Sequence, residues 1–307
     1  MKELYKKHRP KTLKDIIGQD GPVKVLQVFI DKKKVPHSVL ITGPSGCGKT
    51  TIARILRKKV RCGKHDFREL DCADFRGIDM VRSIRKDLMK APISGKTKVW
   101  LIDECHKMTV DAQNAFLKML EDTPKHVYFI LCTTDPQKLK KTIRTRCTEI
   151  AVKSLTNAAT KRLVNKICKI ESIKLPKNVL DKIVESSEGS ARKALVLLNQ
   201  VFLLEDDDML AAIENLTLED TAIFLGRLLM NDRTKWPAMA KALKDNKDAE
   251  PESIRWGVLG YARSCLISGS KISDRAYIVI ESFRDNFFDS KHAGLAAACY
   301  EVIVNED

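Results

Sequence analysis

Short apolar, β-branched runs alternate with longer amphipathic stretches through the first half of the chain. The runs Ser38–Thr42, Phe67–Asp71, Val99–Asp103, Val127–Cys132 and Glu149–Val152 predict strands. Between them, Thr51–Arg61, Ile78–Met89 and Ala112–Glu121 repeat apolar residues at helical spacing. Apolar strands alternating with helices predict an α/β fold whose parallel sheet is covered on both faces. After about Ser154 the strand signal stops. Asn157–Glu171, Lys177–Glu185 and Ser190–Leu204 predict three helices, punctuated by Pro176 and Gly189. Beyond the acidic run Glu205–Asp208, helical periodicity returns in Thr221–Met230, Glu252–Ile267 and Asp274–Phe287, with Trp236 and Trp256 read as core packing. The expected organisation is an α/β domain over residues 1–153, a small helical domain over 154–208 and an all-α domain over 209–307.

With 307 residues, 44% of them apolar, the chain has material for more than one packed core, which excludes a disordered or disulfide-stapled scaffold. No run approaches the ~20 apolar residues of a membrane span, and the charged N-terminus has no apolar stretch behind it to act as a secretion signal. Nine scattered cysteines are then expected as reduced thiols in a cytoplasmic protein. Charge sharpens this picture. Residues 1–150 carry 33 basic and 17 acidic side chains, a net of +16, whereas residues 151–307 net −1. The excess is either a solvated basic surface or a face that attracts phosphate backbones.

Gly43-Pro44-Ser45-Gly46-Cys47-Gly48-Lys49-Thr50 completes a phosphate-loop pattern in its required setting, after a strand and opening a helix. Its glycines let backbone amides of Gly46, Cys47, Gly48 and Thr51 face phosphate oxygens, reinforced by the helix N-terminus. Lys49 is placed to reach the β- and γ-phosphates of a nucleotide, and the Thr50 hydroxyl to hold Mg²⁺.

Val99–Glu104 is an apolar strand ending in two acids. Asp103 is the expected second Mg²⁺ ligand, and Glu104 is placed to polarise water for in-line attack on the γ-phosphorus. Asp103-Glu104-Cys105-His106 also spells a DExH helicase box, a competing reading that would need a second α/β motor domain. A non-hydrolysing ATP-bound scaffold is the other alternative, and the presence of Lys49, Asp103 and Glu104 together weighs against it.

Further segments carry a resemblance. Cys132–Leu139 follows an apolar strand, Thr145-Arg146-Cys147 comes shortly after, and Gly189–Leu195 lies in the small helical domain. With Arg9-Pro10 and Ile17-Gly18-Gln19, these resemble the clamp-loader ATPases of the AAA+ class, above all bacterial gamma/tau subunits and the small subunits of replication factor C. The resemblance covers residues 4 to about 200 and implies a nucleotide-binding core, a lid and an oligomerising collar. It implies that Tyr5, Arg9, Pro10 and Ile17 pack around adenine, that Thr134 is the sensor-1 residue and that Arg192 reaches the phosphates from the lid. Arg146 matches the arginine finger that serves the neighbouring subunit's site, with Thr145 where the family has serine.

Further implications are a duplex held by backbone contacts from Arg76 and Arg82, which precede and enter the helix after Arg76-Gly77-Ile78, and coupling of DNA sensing to the acid pair by Gln113. The implied cofactors are ATP and Mg²⁺. The implied partners are primer-template DNA, a sliding clamp and other loader subunits in a ring, a pentamer in the family, with no membrane. The four-cysteine zinc module of gamma/tau subunits is shortened here to Arg61–Phe67 with Cys72 nearby, which leaves two cysteines and one histidine, so no zinc is expected. The chain stops after its helical stretch without the long tail of the tau form, closer to replication factor C small subunits or phage-encoded loaders.

Overall fold

A computed structural model describes residues 3–202, 204, 206–247, 249–267 and 273–304, in two compact units, 1–203 and 204–307. In the first unit, helices α1 (Leu4–Lys7) and α2 (Asp20–Asp31) precede β1 (Ser38–Thr42), α3 (Lys49–Lys59) and β2 (Cys62–Asp71). Then follow α4 (Ile78–Leu88), β3 (Thr97–Asp103), α5 (Val110–Glu121), β4 (Val127–Thr133), α6 (Lys141–Thr145) and β5 (Thr148–Ala151). Three helices close the unit: α7 (Asn157–Glu171), α8 (Lys177–Ser186) and α9 (Ala191–Val201).

The five strands are all parallel, in the order β2-β3-β4-β1-β5. Strand alternation explains the double covering. Leu40 and Ile102 turn to one face, where Ile84 of α4 and Phe116 of α5 complete a buried cluster. Val39, Ile41 and Leu101 turn to the other face, against Ile52, Ile55 and Leu56 of α3. Each such buried side chain contributes about 1.5–3 kcal/mol through removal of apolar surface from water.

This strand order decides where chemistry collects. β4 lies between β1 and β3, with Thr42 beside Thr133 and Ile102 beside Leu131. The carboxyl ends of β1, β3 and β4 therefore share one edge, where ligands bind in open parallel sheets. β2 starts at Cys62, five residues before the expected Phe67, because its first part pairs with β3 through an irregular register between Cys62 and Phe67.

The second unit holds α10 (Asp206–Leu229), α11 (Trp236–Asp245), α12 (Pro251–Ile267), α13 (Ser273–Ser282) and α14 (Lys291–Val304). Leu225, Met239, Val258, Phe283, Phe287 and Cys299 share its core. α10 runs through Asp206–Asp208 and begins well before Thr221, where apolar spacing alone starts the helix. The expected helix Asp274–Phe287 ends at Ser282. Phe283 and Phe287 keep helical spacing and both enter the core, but the Phe287 amide donates to the Glu252 carboxylate at 2.8 Å rather than continuing the helix. Trp236 packs edge-on to Tyr300, while Trp256 is not core: it is 64% exposed, with the Arg255 guanidinium 4.4 Å from its ring centre. Arg255 itself is buried against Glu252 and donates to the carbonyls of Phe283 and Arg284, which satisfies its charge among apolar neighbours.

Candidate active site

The loop after β1 turns into α3 at Gly48, whose φ of 102° lies in the left-handed region. Gly46, at φ +73°, packs so closely on the lid that a Cβ there would lie 2.1 Å from the Ser190 hydroxyl. The Arg192 amide donates to the Gly46 carbonyl at 3.3 Å, fixing the start of α9 on the phosphate loop. Lys49 is buried, and its ammonium donates to the carbonyls of Gly43 at 2.8 Å and Pro44 at 2.9 Å. Its charge is thus held at the loop, where phosphates are expected.

The Thr50 hydroxyl donates to the Asp103 carboxylate at 2.7 Å. Two hard oxygens set side by side fit Mg²⁺, which takes few protein ligands and fills the rest of its octahedron with water and phosphate oxygens. Next along the chain, Glu104 adopts φ 47°, uncommon for a residue with a side chain, and its amide donates to Asp103 at 3.0 Å. Thr134, just past β4, donates to the Glu104 carboxylate at 3.2 Å. His106 reaches the same carboxylate oxygen at 3.4 Å and the Thr133 hydroxyl at 3.0 Å.

Lys49, Thr50, Asp103 and Glu104 face a cleft of about 330 Å³. Of the residues expected around a nucleotide, Tyr5, Arg9, Pro10, Ile17, Gly46, Cys47, Gly48, Lys49, Thr50, Thr51, Asp103, Glu104 and Arg192 all line it. Thr134 meets the cleft through Glu104. The N-terminal segment is tied to the lid: the Leu4 amide donates to Asn199 at 3.2 Å, His8 and Lys7 pair with Glu171, and the Arg192 guanidinium lies 5.8 Å from the Tyr5 ring centre. Local sequence gives no sign of three more lining groups. His8 enters beside Arg9, and Arg54 makes a forked ion pair with Glu69 at 2.7–3.2 Å, joining α3 to β2 across the rim.

Two cysteines at this edge are buried thiols held in their protonated form. Burial raises the Cys47 thiol above its ordinary value, and burial with nearby Asp71, Asp103 and Glu104 pushes Cys72 up to about 12.

The remaining expected residues stand outside the cleft. Arg146 caps the C-terminus of α6, donates to the Thr142 carbonyl at 3.1 Å and forms an ion pair with Glu121 at the end of α5; its side chain is 37% exposed. Gln113 is buried. It donates to the Met108 carbonyl at 3.2 Å and accepts the Lys140 amide at 2.9 Å, which links α5 to the segment between Thr134 and α6. Arg76 is exposed before α4, and Arg82 is exposed on α4, paired with Asp79 at 3.0 Å. Among the described residues no helix is long and apolar enough to cross a membrane.

Known proteins resemble this chain in sequence and in fold. A family profile described as DNA polymerase III, delta subunit, matches residues 71–156, and one described as Sigma-54 interaction domain matches residues 16–84. The chain is 32% identical over 86% of its length to the tau subunit of DNA polymerase III from Bacillus subtilis. It is 34% identical over 66% of its length to the tau subunit from Escherichia coli. It spans 51% of the first protein and 35% of the second, about half or less of the relatives it matches. Among solved structures, the Thermotoga maritima RuvB Holliday junction branch migration motor superposes with a TM-score of 0.54 at 21% identity, covering 77% of this chain and 72% of that one. At that identity the likeness speaks for the fold alone.

Proposed function

From a chain homologous to the gamma/tau subunits of DNA polymerase III and built on the AAA+ fold, we propose an ATP-driven motor subunit of a sliding-clamp loader. One observation carries this reading: the phosphate loop, acid pair and Thr134 gather at one cleft, while Arg146 stands outside it on an exposed surface. In this reading Arg146, which stands outside its own copy's cleft, completes the site of a neighbouring copy.

In this reading residues 1–153 are the motor core, 154–208 its lid and 209–307 a collar through which subunits join in a ring, a pentamer in the loaders it resembles. Tyr5, Arg9, Pro10 and Ile17 enclose the adenine. Lys49 leaves the Gly43 and Pro44 carbonyls for the β- and γ-phosphates, and loop amides fill in around them. Thr50 and Asp103 hold Mg²⁺, which when bound neutralises charge developing on the phosphates. Glu104 accepts a proton from the attacking water, and Thr134 and Arg192 register the γ-phosphate. Arg146 from the next subunit supports the transition state, a contribution of roughly 10³–10⁵ in rate.

Arg76 and Arg82 contact the duplex backbone without reading bases, which suits loading at any primer end. Gln113 passes that contact on through the Met108 carbonyl, at the end of the turn after Glu104, and through Lys138 and Lys140 before α6. The helicase alternative has little support, since the described residues after β5 form helices and no second sheet.

The test is ATP turnover with and without primed DNA, the cognate clamp and partner subunits. Synergistic stimulation, abolished in Arg146→Ala with nucleotide binding retained, supports the reading. Unstimulated turnover at full rate by a monomer, or strand separation without a clamp, overturns it.

A further inference from the structure

Two side chains of the Asp103-Glu104-Cys105-His106 box have no part in the reading above: Cys105, which is buried in the apolar core, and His106. His106 sits on the single 3₁₀ turn Cys105–Lys107, and the left-handed backbone at Glu104 starts that turn and folds the imidazole back toward the acid before it. The ring is nearly buried, 11% exposed. Its Nδ1 lies between two oxygens, the Thr133 hydroxyl at the end of β4 at 3.0 Å and the carboxylate of Glu104, just past β3, at 3.4 Å.

Proton counting shows what this position is good for. The Thr134 hydroxyl has one proton and donates it to the Glu104 carboxylate oxygen that His106 also approaches. A hydroxyl that gives its proton to Glu104 cannot also give it to a γ-phosphate. When Thr134 turns to phosphate, Glu104 loses that donor. The Thr133 oxygen accepts the Asp135 amide at 3.0 Å, which holds that hydroxyl beside His106. In the tautomer that carries its proton on Nδ1, His106 is a neighbouring donor 3.4 Å from the carboxylate, which is the stronger acceptor of the two oxygens that this nitrogen faces.

We propose that His106 is a positioning residue for Glu104, taking over the carboxylate when Thr134 turns to the γ-phosphate and holding it toward the attacking water. The proposal rests on the motor reading above, in which Glu104 is the base. It assigns His106 an effect on the chemical step and none on nucleotide affinity.

The experiment measures steady-state turnover and nucleotide binding of the 307-residue chain assembled with its partner subunits, with primed DNA and the cognate clamp present, in His106→Ala, His106→Phe and His106→Asn. Phenylalanine keeps the ring without the donor, while asparagine restores an N–H near the Nδ1 position without the ring. Alanine and phenylalanine are expected to lower kcat roughly tenfold, as for a misplaced reacting group, with KM and nucleotide affinity within about twofold of the parent. Asparagine is expected to recover kcat to within about twofold. Full kcat in the alanine or phenylalanine variant overturns the proposal. So does an asparagine variant as slow as alanine, or a fall in nucleotide affinity and melting temperature parallel to kcat. Should the phenylalanine variant fail to fold, alanine carries the comparison, since it adds no atoms. Glu104→Gln serves as the control: if it turns over at the parent rate, the motor reading fails, whereas an inactive Glu104→Gln beside a fully active His106→Ala sinks only the role of His106.

Discussion

Thr50 and Asp103 are 53 residues apart in the chain and 2.7 Å apart in the fold. That contact joins the first turn of α3 to the end of β3 and leaves two oxygens ready for a divalent cation. Thr50→Ala removes one of them and leaves the fold's apolar contacts in place. The Mg²⁺ concentration for half-maximal turnover is expected to rise about tenfold, read by titrating the metal at saturating ATP.

Arg146 and Glu121 form an exposed ion pair, which in water contributes about 0–1 kcal/mol. Arg146→Ala is therefore expected to leave the melting temperature within a few degrees of the parent. The same substitution is expected to lower DNA-stimulated turnover by roughly 10³-fold if, as proposed, Arg146 acts in the neighbour's site. A variant that unfolds in step with its loss of turnover would contradict the role.

Asp66 is nearly buried, and although burial alone would raise its carboxyl, the Ile93 and Ser94 amides with the Ser94 hydroxyl more than offset this and hold it below the usual carboxylate value. For a depressed carboxylate, the stabilisation is complete above the unfolded-state value near 3.8 and disappears as pH falls through the lower folded-state value. Asp66→Asn is expected to lower stability by about 1–2 kcal/mol at pH 7. Urea unfolding should show that gap closing below about pH 4, where the parent's carboxylate also takes up a proton.

In the second unit, Glu252 and Arg255 form a buried pair. Glu252→Ala strands the guanidinium and frees the Phe287 amide, an expected loss of about 3–5 kcal/mol. The melting of unit 204–307, followed by limited proteolysis, is the readout, and nucleotide binding in the first unit should stay unchanged.

The loop Gly43–Thr50, the acids Asp103 and Glu104 and the strands that carry them were legible in the chain itself, because their chemistry is local. Glycines at fixed offsets set the phosphate loop, and runs apolar on both faces mark strands buried between helices. Even His106 was legible as part of a box. Helix ends were less legible, as at Phe287, where apolar spacing continues past the last helical hydrogen bond. Period alone does not tell a core residue on a helix from one on the loop after it. For the same reason Trp256, apolar and well spaced, turns out exposed.

The tertiary structure decided which local pieces meet. Inserting β4 between β1 and β3 brings Thr134 to Glu104 and Thr133 to His106, and packing α6 beside α5 gives Arg146 to Glu121 rather than to its own cleft. These pairings depend on strand order, backbone handedness at single residues and side-chain rotamers. Sequence spacing fixes none of these, because a hydrogen bond depends on distance in space, and the chain reaches that distance only by packing.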